Sequence, residues 1–495
     1  MKVPHKTKVI WNSIKFGAYS ARKSTSTYHL ANSLLNILNC SPKLAWRYSN
    51  LYRKRFSFVK IFSNIISIVI VILLSFWYWP KRIKAKHKKI PCDILFVSHL
   101  TNVKHLELKE DFYFGNLEQI SFENGLTTET VLINHCKANA NDSHKIKKRN
   151  TTILSSYLSP LEEIKLVIKL VQASFSLPKV GEKNFDFSAK YAQFDRNSIA
   201  NTRIHDQIRD AIYRFNPKII IHTFEGHGWE RMICQTAHLQ PGLVKVIGYH
   251  HAVLFPGPRA MNFKYGQGAD PDIILMSGDS TARAFVEQSE FSQEEVSVMG
   301  SLKHVSKDAK VPLVKIKDSC LIVPEGDISE VRIMAESGLK IASLLPSVNF
   351  ILRLHPLLTD EKVRKLIPKL NQLPKNFSFS NMDLNTDISK ASWILYRASS
   401  VVLSGLSRGV RPIYINSDDS NQINDPIPDS ISYRKIAKTD RDIVNVIQQD
   451  ISASSEKDSN EKQIGIDFAA HYYTPYDPLI FVKLAKLILL KAAND

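Results

Sequence analysis

The sequence predicts an α/β protein built from two consecutively wound layers of parallel strands, preceded by an N-terminal helical segment that associates with a membrane. Three observations carry that prediction. Beyond residue 90, short apolar runs alternate with helix-length stretches; before it lies a 19-residue run without a charge; and the excess charge is confined to that first part.

At 495 residues the chain has room for two or three domains with sizeable cores. A composition of 44% hydrophobic and 23% charged residues excludes wholesale disorder, collagen-like repeats and a multi-span membrane bundle. The formal charge of +19 is unevenly spread: residues 1–90 hold 18 Lys and Arg and no Asp or Glu, so the remaining 48 basic residues nearly balance the 47 acids. A nucleic-acid-binding protein would place a basic stripe on its folded domain, whereas basic residues beside a long apolar run suit anionic lipid head groups. The expected partner of residues 1–90 is therefore a membrane and not nucleic acid. Five cysteines, Cys40, Cys92, Cys136, Cys234 and Cys320, show neither metal-ligand spacing nor a paired framework and fit a reducing compartment.

The uncharged run from Ile61 to Trp79 would cover about 28 Å as a helix, enough to span a bilayer core. Phe76, Trp77, Tyr78 and Trp79 form an interfacial aromatic cluster, and Pro80 ends the helix. Arg53, Lys54, Arg55 and Lys60 precede it, and Lys81, Arg82, Lys84, Lys86, Lys88 and Lys89 follow, which a buried core helix would not show. The denser cluster follows the run, placing the bulk of the chain on the cytoplasmic face; a re-entrant or tilted helix would satisfy both flanks. Upstream, Tyr28, Ala31, Leu34, Leu35 and Leu38 recur at the spacing of an amphipathic helix.

In the first half, expected strands are Asp93 to Ser98, Val131 to Asn134, Lys218 to His222, Val244 to Tyr249, Ile273 to Ser277 and Val296 to Met299. Ser159, Pro160 and Glu162 read as the cap, first-turn proline and capping-box acid of one intervening helix, and a second runs near Ile204 to Tyr213. A polar connector, Ser306 to Lys317, leads to the second half. There the expected strands are Cys320 to Val323, Phe350 to Leu354, Trp393 to Leu395 and Pro412 to Ile415, with a helix from Ile328 to Leu345 capped by Asp327 and Glu330. Residues 451–464 read as loop, and Asp477 caps a terminal helix from Pro478 to Ala493. The expected division is a membrane-anchoring segment 1–90 with apolar helix 61–79, Rossmann-like domains 91–305 and 318–470, and a terminal helix 477–495.

Two such layers hold a ligand at the C-terminal ends of their strands. Neither a phosphate-binding "GxxxxGK[ST]" loop nor a tight "GxGxxG" follows any strand, which disfavours ATPase and dehydrogenase chemistry. Four constellations remain. "HTFEGHGWER" places Glu225 on a turn made pliable by Gly226 and Gly228, where a carboxylate can take a proton from a hydroxyl; Glu230 can do the same or serve the helix start. "GYHHAVLFPG" offers His250 and His251, of which strand alternation turns one toward the cleft and leaves the other to packing. "FILRLHP" ends a strand in Arg353 and His355, donors suited to a phosphate, with Pro356 fixing the loop that presents them. "RASSVVLSGLSRG" sets Ser399 and Ser400 before a short helix ending at Gly409, an arrangement of free amides that favours anions. "VPEGD" supplies a second Glu-Gly turn, Glu325 and Gly326, as a rival acid or donor contact. Asp418 and Asp419 read as solvated, so no metal is expected.

In this order the motifs Glu225-Gly226, His355-Pro356 and Ser399-Ser400 resemble those of the GT-B glycosyltransferases of bacterial surface-polysaccharide assembly, in particular sialyltransferases, polysialyltransferases and related capsule enzymes. "ILFVSHLTN" and "EGHGWER" also resemble surface carbohydrate biosynthesis proteins. The resemblance covers roughly residues 91–490 and implies that 91–305 binds the acceptor and 318–470 the donor nucleotide. It implies Glu225 as general base, with His355, Ser399 and Ser400 on the donor phosphate. Phe224 stands where those families often carry a second acid, and Ser404 where many GT-B enzymes carry a ribose-binding Glu. The implied function is metal-independent, inverting transfer from a nucleotide sugar, a CMP-sugar first, to a lipid-linked or polysaccharide acceptor at the cytoplasmic face of a bacterial inner membrane. No resident cofactor is implied, the nucleotide sugar being a co-substrate. A CDP-polyol-dependent polyol-phosphate transferase and a non-catalytic partner of an assembly complex are the alternatives.

Overall fold

The computed structural model describes residues 58–83, 90–148, 150–175, 196–242, 244–256, 259–304, 318–356, 358–416, 425–452 and 456–494. The amphipathic stretch at Tyr28 to Leu38, the lysines from Lys84 to Lys89, the connector Ser306 to Lys317 and the pair Asp418 and Asp419 lie outside them.

The first half is a seven-stranded parallel sheet made of β1 (Ile94–Leu100), β2 (Thr128–Asn134), β3 (Thr151–Ile153), β4 (Ile219–Thr223), β5 (Lys245–His250), β6 (Ile273–Met276) and β7 (Val296–Val298). Its order is β3-β2-β1-β4-β5-β6-β7, with Ile94 level with Ile219 and Val97 with His222. The second half is a six-stranded parallel sheet of β8 (Ser319–Val323), β9 (Asn349–Leu352), β10 (Phe377–Phe379), β11 (Trp393–Tyr396), β12 (Arg411–Ile415) and β13 (Lys435–Ala437), in the order β10-β9-β8-β11-β12-β13. Each sheet therefore reverses its winding once, between β1 and β4 and between β8 and β11. Strand ends at such a reversal splay the following loops apart and leave a crevice.

Alternation along the strands fills a core on both faces of each sheet. Leu95 and Val97 point to one cluster with Ile220 and Ile233, while Ile94 and Phe96 join Ile221 and Tyr249 on the other. Cys320 and Ile322 divide from Leu321 and Val323 in the same way. β3, β10 and β13 are edge strands absent from the sequence reading, because three residues carry too little alternation to be seen.

Helices follow the strands in chain order. α1 (Phe58–Tyr78) precedes the first sheet, which carries α2 (Leu117–Glu123), α3 (Pro160–Phe175), α4 (Arg196–Phe215), α5 (Gly228–His238) and α6 (Asp279–Gln288). The second carries α7 (Ile328–Leu344), α8 (Asp360–Leu366), α9 (Leu384–Lys390), α10 (Val401–Leu406), α11 (Asp440–Ser452) and α12 (Glu456–Tyr472), and α13 (Pro478–Asn494) closes the chain. Ser159 donates to Glu162 at 2.6 Å, and Asp327 accepts from the Ser329 amide at 2.7 Å, the caps expected for α3 and α7.

Residues 451–464, expected as loop, are a correction: the described ones, 451–452 and 456–464, belong to α11 and α12. Only Gly465, Ala469 and Tyr472 are buried along the following stripe, and with a glycine and an alanine in two of these places no apolar periodicity is left to read. A Cβ on Gly465 would lie 2.7 Å from Leu406, so the close approach of α12 depends on that glycine.

Among the described residues one helix is long and apolar enough to cross a membrane, the window Phe62–Lys81 with mean hydropathy 2.0 and 6% of it buried. α1 rests one narrow side on α3 and α4, where Val71 and Ser75 are buried and Tyr78 stacks on Tyr157 at 5.2 Å. Its other side exposes Phe62, Ile65, Val69, Leu73, Phe76 and Trp77. Lys81 and Arg82 lie over the rings of Trp77 and Trp79 at 3.6 and 4.0 Å.

The chain returns to the first half after α12. The Thr474 amide donates to the Ser277 carbonyl at 3.1 Å and the Asp477 amide to that of Met299 at 2.9 Å. Gly300, at φ +84°, permits the crossing, since a Cβ there would stand 2.0 Å from the Pro475 carbonyl oxygen. α13 then buries Phe481, Val482 and Ala485 in the cluster shared with Phe96 and Ile221.

Candidate functional site

The reversal in the first sheet delivers β1 and β4 side by side, and Glu225 stands two residues beyond β4. The turn that holds it is built by Glu230. Its fully buried carboxylate accepts from the backbone amides of Glu225, Gly226 and His227 at 3.0, 2.8 and 2.9 Å. Burial raises the Glu230 carboxyl to about 7, against the pull of His227 and of those amides. Glu230, a candidate base from the sequence, is thus committed to backbone groups and shapes the loop. Gly226 takes φ +87° and faces Met261, whose amide nitrogen would lie 3.1 Å from a Cβ.

A ring of histidines surrounds Glu225. His251 Nε2 lies 3.1 Å from Oε1 and His227 Nε2 3.4 Å from Oε2. The Glu225 side chain keeps 31% of its surface open to solvent. Burial there favours the neutral acid, but the hydrogen bond from His227 and the nearby His251 outweigh it and hold the carboxyl well below the carboxylate range. Burial likewise opposes the charge on His227, but the hydrogen bond to Glu225 and the field of Glu230 raise it to about 9. At neutral pH these two form an ion pair. Burial lowers His251 to about 4, so that ring stays neutral, and its T-shaped contact with Tyr113 at 4.7 Å fixes its plane. His250 is fully buried and reaches the Phe224 carbonyl at 2.8 Å through Nδ1, so it belongs to packing and His251 to the cleft.

The sequence reading missed the second rank of this site. His99, near the end of β1, stands 2.8 Å from His135 Nε2 through one ring nitrogen and 2.7 Å from the Thr223 hydroxyl through the other. Burial pushes His99 down to about 3, so it is neutral and passes one hydrogen bond along the chain from His135 to Thr223 in either tautomer. The signal was in "FVSHL", but only the adjacency of β1 to β4 makes it meaningful, and strand order does not show in a single sequence. Arg231 is buried and pairs with Asp270 while donating to the Phe263 carbonyl at 2.9 Å, which pins the loop over Gly226.

The second sheet presents its own reversal. Glu325 and Gly326 follow β8, and Ser399 and Ser400 follow the neighbouring β11. His355, beyond β9, closes on the same turn: a Cβ on Gly326 would stand 3.2 Å from its Nδ1. Partial burial lowers His355, which leaves a neutral ring. Burial raises Glu325, with Glu330 adding to the effect and Arg259 opposing it. Arg259 belongs to the first half, so its charge acts on Glu325 from across the cleft. The same loop carries His251 beside Glu225 and packs Val253 against the second half's core.

Two expectations are corrected here. Arg353 does not face the cleft as a free cation: it pairs with Asp387 at 2.6 Å and donates to the Met382 carbonyl at 2.8 Å, because its strand end is braced against α9. The serine pair caps only loosely. The Val401 amide lies 3.4 Å from Ser399 Oγ, and Ser400 makes no side-chain cap bond. Pro356 is exposed at the turn beyond His355. Among the described residues no group of three His, Cys, Asp or Glu side chains has metal-binding geometry.

No protein-family model and no curated protein matches the sequence. Similar solved structures include a UDP-GlcNAc 2-epimerase from Neisseria meningitidis bound to UDP-GlcNAc, at 13% identity and TM-score 0.46, with 81% of this chain and 100% of that one covered. They also include the glycosyltransferase SnogD from Streptomyces nogalater, at 13% identity and TM-score 0.47 with coverage of 81% and 100%. MurG of Acinetobacter baumannii is a third, at 11% identity and TM-score 0.41 with coverage of 80% and 99%. At such scores the likenesses say nothing of reaction or ligand. The chain's own two parallel sheets, with their facing reversals and the returning terminal helix, make it a two-domain, GT-B-like α/β fold.

Proposed function

We propose that the protein is a glycosyltransferase that moves a sugar from a nucleotide sugar to a lipid-linked or polysaccharide acceptor. The observation that carries this reading is the ionised Glu225, ringed by His227 and His251 at one sheet reversal, across the cleft from the Glu325, His355 and Ser399 edge of the other. An acceptor hydroxyl at Glu225 attacks the anomeric carbon, the new C–O bond forms as the sugar–phosphate bond breaks, and the nucleotide departs with the electron pair. The hydroxyl proton passes to Glu225. A carboxylate clamped by His227 is a weak base, and a hydroxyl that takes over one of its hydrogen bonds raises its proton affinity.

The donor belongs to the second half, where the neutral His355 donates one N–H and the edges of Gly326 and Ser399 admit a phosphate, so that protein groups rather than a metal ion meet the leaving charge. The sequence resemblance favours a CMP-sugar and inversion, and the basic, apolar residues 1–90 favour work at the cytoplasmic face of a bacterial inner membrane. The test is transfer from labelled CMP-, UDP- and GDP-sugars by the full chain in detergent, with a CDP-polyol alongside. Product from one nucleotide sugar, lost in Glu225→Gln, is expected. Product from the CDP-polyol alone would replace the reading with polyol-phosphate transfer.

A further inference from the structure

A cavity of about 350 Å³ lies in the seam where α1 rests on the first half. Ile70, Val71 and Leu74 of α1 form one wall; the other combines Ile133, Leu154 and Ile199 with the polar Asn134, His135 and Ser156. The space is amphiphilic by construction. Its apolar wall is continuous with the bare side of α1, because Ile70 lines the cavity while remaining 47% exposed. Its polar wall borders the Glu225 cluster: His135 lines the cavity and stands 2.8 Å from His99, in the chain that ends at Thr223, two residues before Glu225.

Three cations border it. Arg203 is spent on Glu163, at 2.6 Å between Nε and Oε1. For Lys137 and Arg196, no carboxylate partner occurs among the described residues, and Lys137 hangs over the Tyr78 ring at 5.4 Å. Two cations beside an apolar wall select an anion attached to a hydrocarbon. A space of this size takes a phosphate and a few carbons, not a whole lipid.

We infer that this cavity seats the phosphate and adjoining carbons of a lipid-phosphate-linked acceptor, with the hydrocarbon lying along α1 toward the bilayer and the saccharide passing His135 to reach Glu225. The inference rests on the transferase and membrane readings above and names the acceptor's chemical class and its place.

Binding, not turnover, tests it. The full chain in detergent is titrated with a long-chain polyprenyl monophosphate, with the corresponding polyprenol, with inorganic phosphate and with phosphatidylglycerol vesicles. The polyprenyl phosphate should bind at least ten times more tightly than the polyprenol or inorganic phosphate. Lys137→Gln with Arg196→Gln, and separately Ser67→Trp, which fills the cavity from α1, should each weaken it at least tenfold while UDP or CMP binding to the second half stays unchanged as a sign of intact folding. Equal affinity in either variant overturns the inference, as does preference for the vesicles or for free phosphate. Sugar transfer to a soluble acceptor without polyprenyl phosphate binding would sink the cavity's role and leave the transferase standing. Binding without transfer would do the reverse.

Discussion

The two sheet reversals that face each other across the cleft are topologically alike and chemically opposite. The first is crowded with titratable groups that have already found one another: Glu225 with His227 and His251, Glu230 with three amides, His99 with His135 and Thr223. The second presents small groups, Gly326, Ser399 and Ser400, beside a neutral His355, while its strong cation Arg353 is turned away to Asp387. Preformed networks cost little reorganisation during proton transfer, whereas a surface of glycine and hydroxyl groups leaves room for a ligand to supply its own charge. Under the proposed function, this contrast assigns proton transfer to one face and donor binding to the other.

The sharpest way to break that division is Glu225→Gln. Turnover should fall by about 10² to 10⁴ while nucleotide affinity, measured by calorimetry, stays within twofold. A loss of nucleotide affinity of the same size would move Glu225 to the donor site.

Glu230→Ala should act on folding, because it strands three amides beneath the turn. Since these amides are part-buried and water can reach the turn, a loss of about 1 to 3 kcal/mol is expected in urea unfolding, with turnover falling in step as the turn loosens. Unchanged stability would mean that water replaces the carboxylate.

On the opposite face, His355→Ala should weaken nucleotide binding by about 1.5 to 3 kcal/mol, the range for a hydrogen bond to a charged group, and leave the pH profile unmoved. Arg353→Ala should lower stability yet spare nucleotide affinity in the protein that folds.

Smaller effects come from pH. His227 is raised toward 9, so the stability of its pair with Glu225 is complete below the ordinary histidine value and is lost as pH rises through about 9. An alkaline fall in turnover near that pH should disappear in His227→Gln. His99, lowered to about 3, works in the other sense: its contribution is present above about 6.5 and is lost as pH falls toward 3. The wild type should lose stability relative to His99→Gln over that acid range, and parallel unfolding curves would show that His99 is not held neutral.

Much of the fold was legible because long buried strands write their burial into apolar runs; Ile94 to Leu100 and Ser319 to Val323 are buried at every position. Glu225, Gly226 and the pair His250 and His251 could be singled out for a related reason, since polar residues that interrupt such runs at a strand end stand out; which histidine faces the cleft came only from the structure. What could not be read was adjacency. Arg353 looked like a phosphate ligand until Asp387 arrived from another element, and His99 looked like an ordinary strand residue until β4 was set beside it. A single sequence records what each segment prefers, and the identity of its neighbours is a property of the assembled sheet.

The packing of α13 bears on the order in which the molecule can be made. Phe481, Val482 and Ala485 complete the layer above Ile94, Phe96 and Ile221, and a buried phenylalanine alone is worth about 1.5 to 3 kcal/mol. On the ribosome the first half therefore emerges early but stays unfinished while the second half is synthesised, with one face of its central strands waiting for residues made about 380 positions later. Nascent first halves would stay exposed to chaperones and proteases until α13 has emerged and docked.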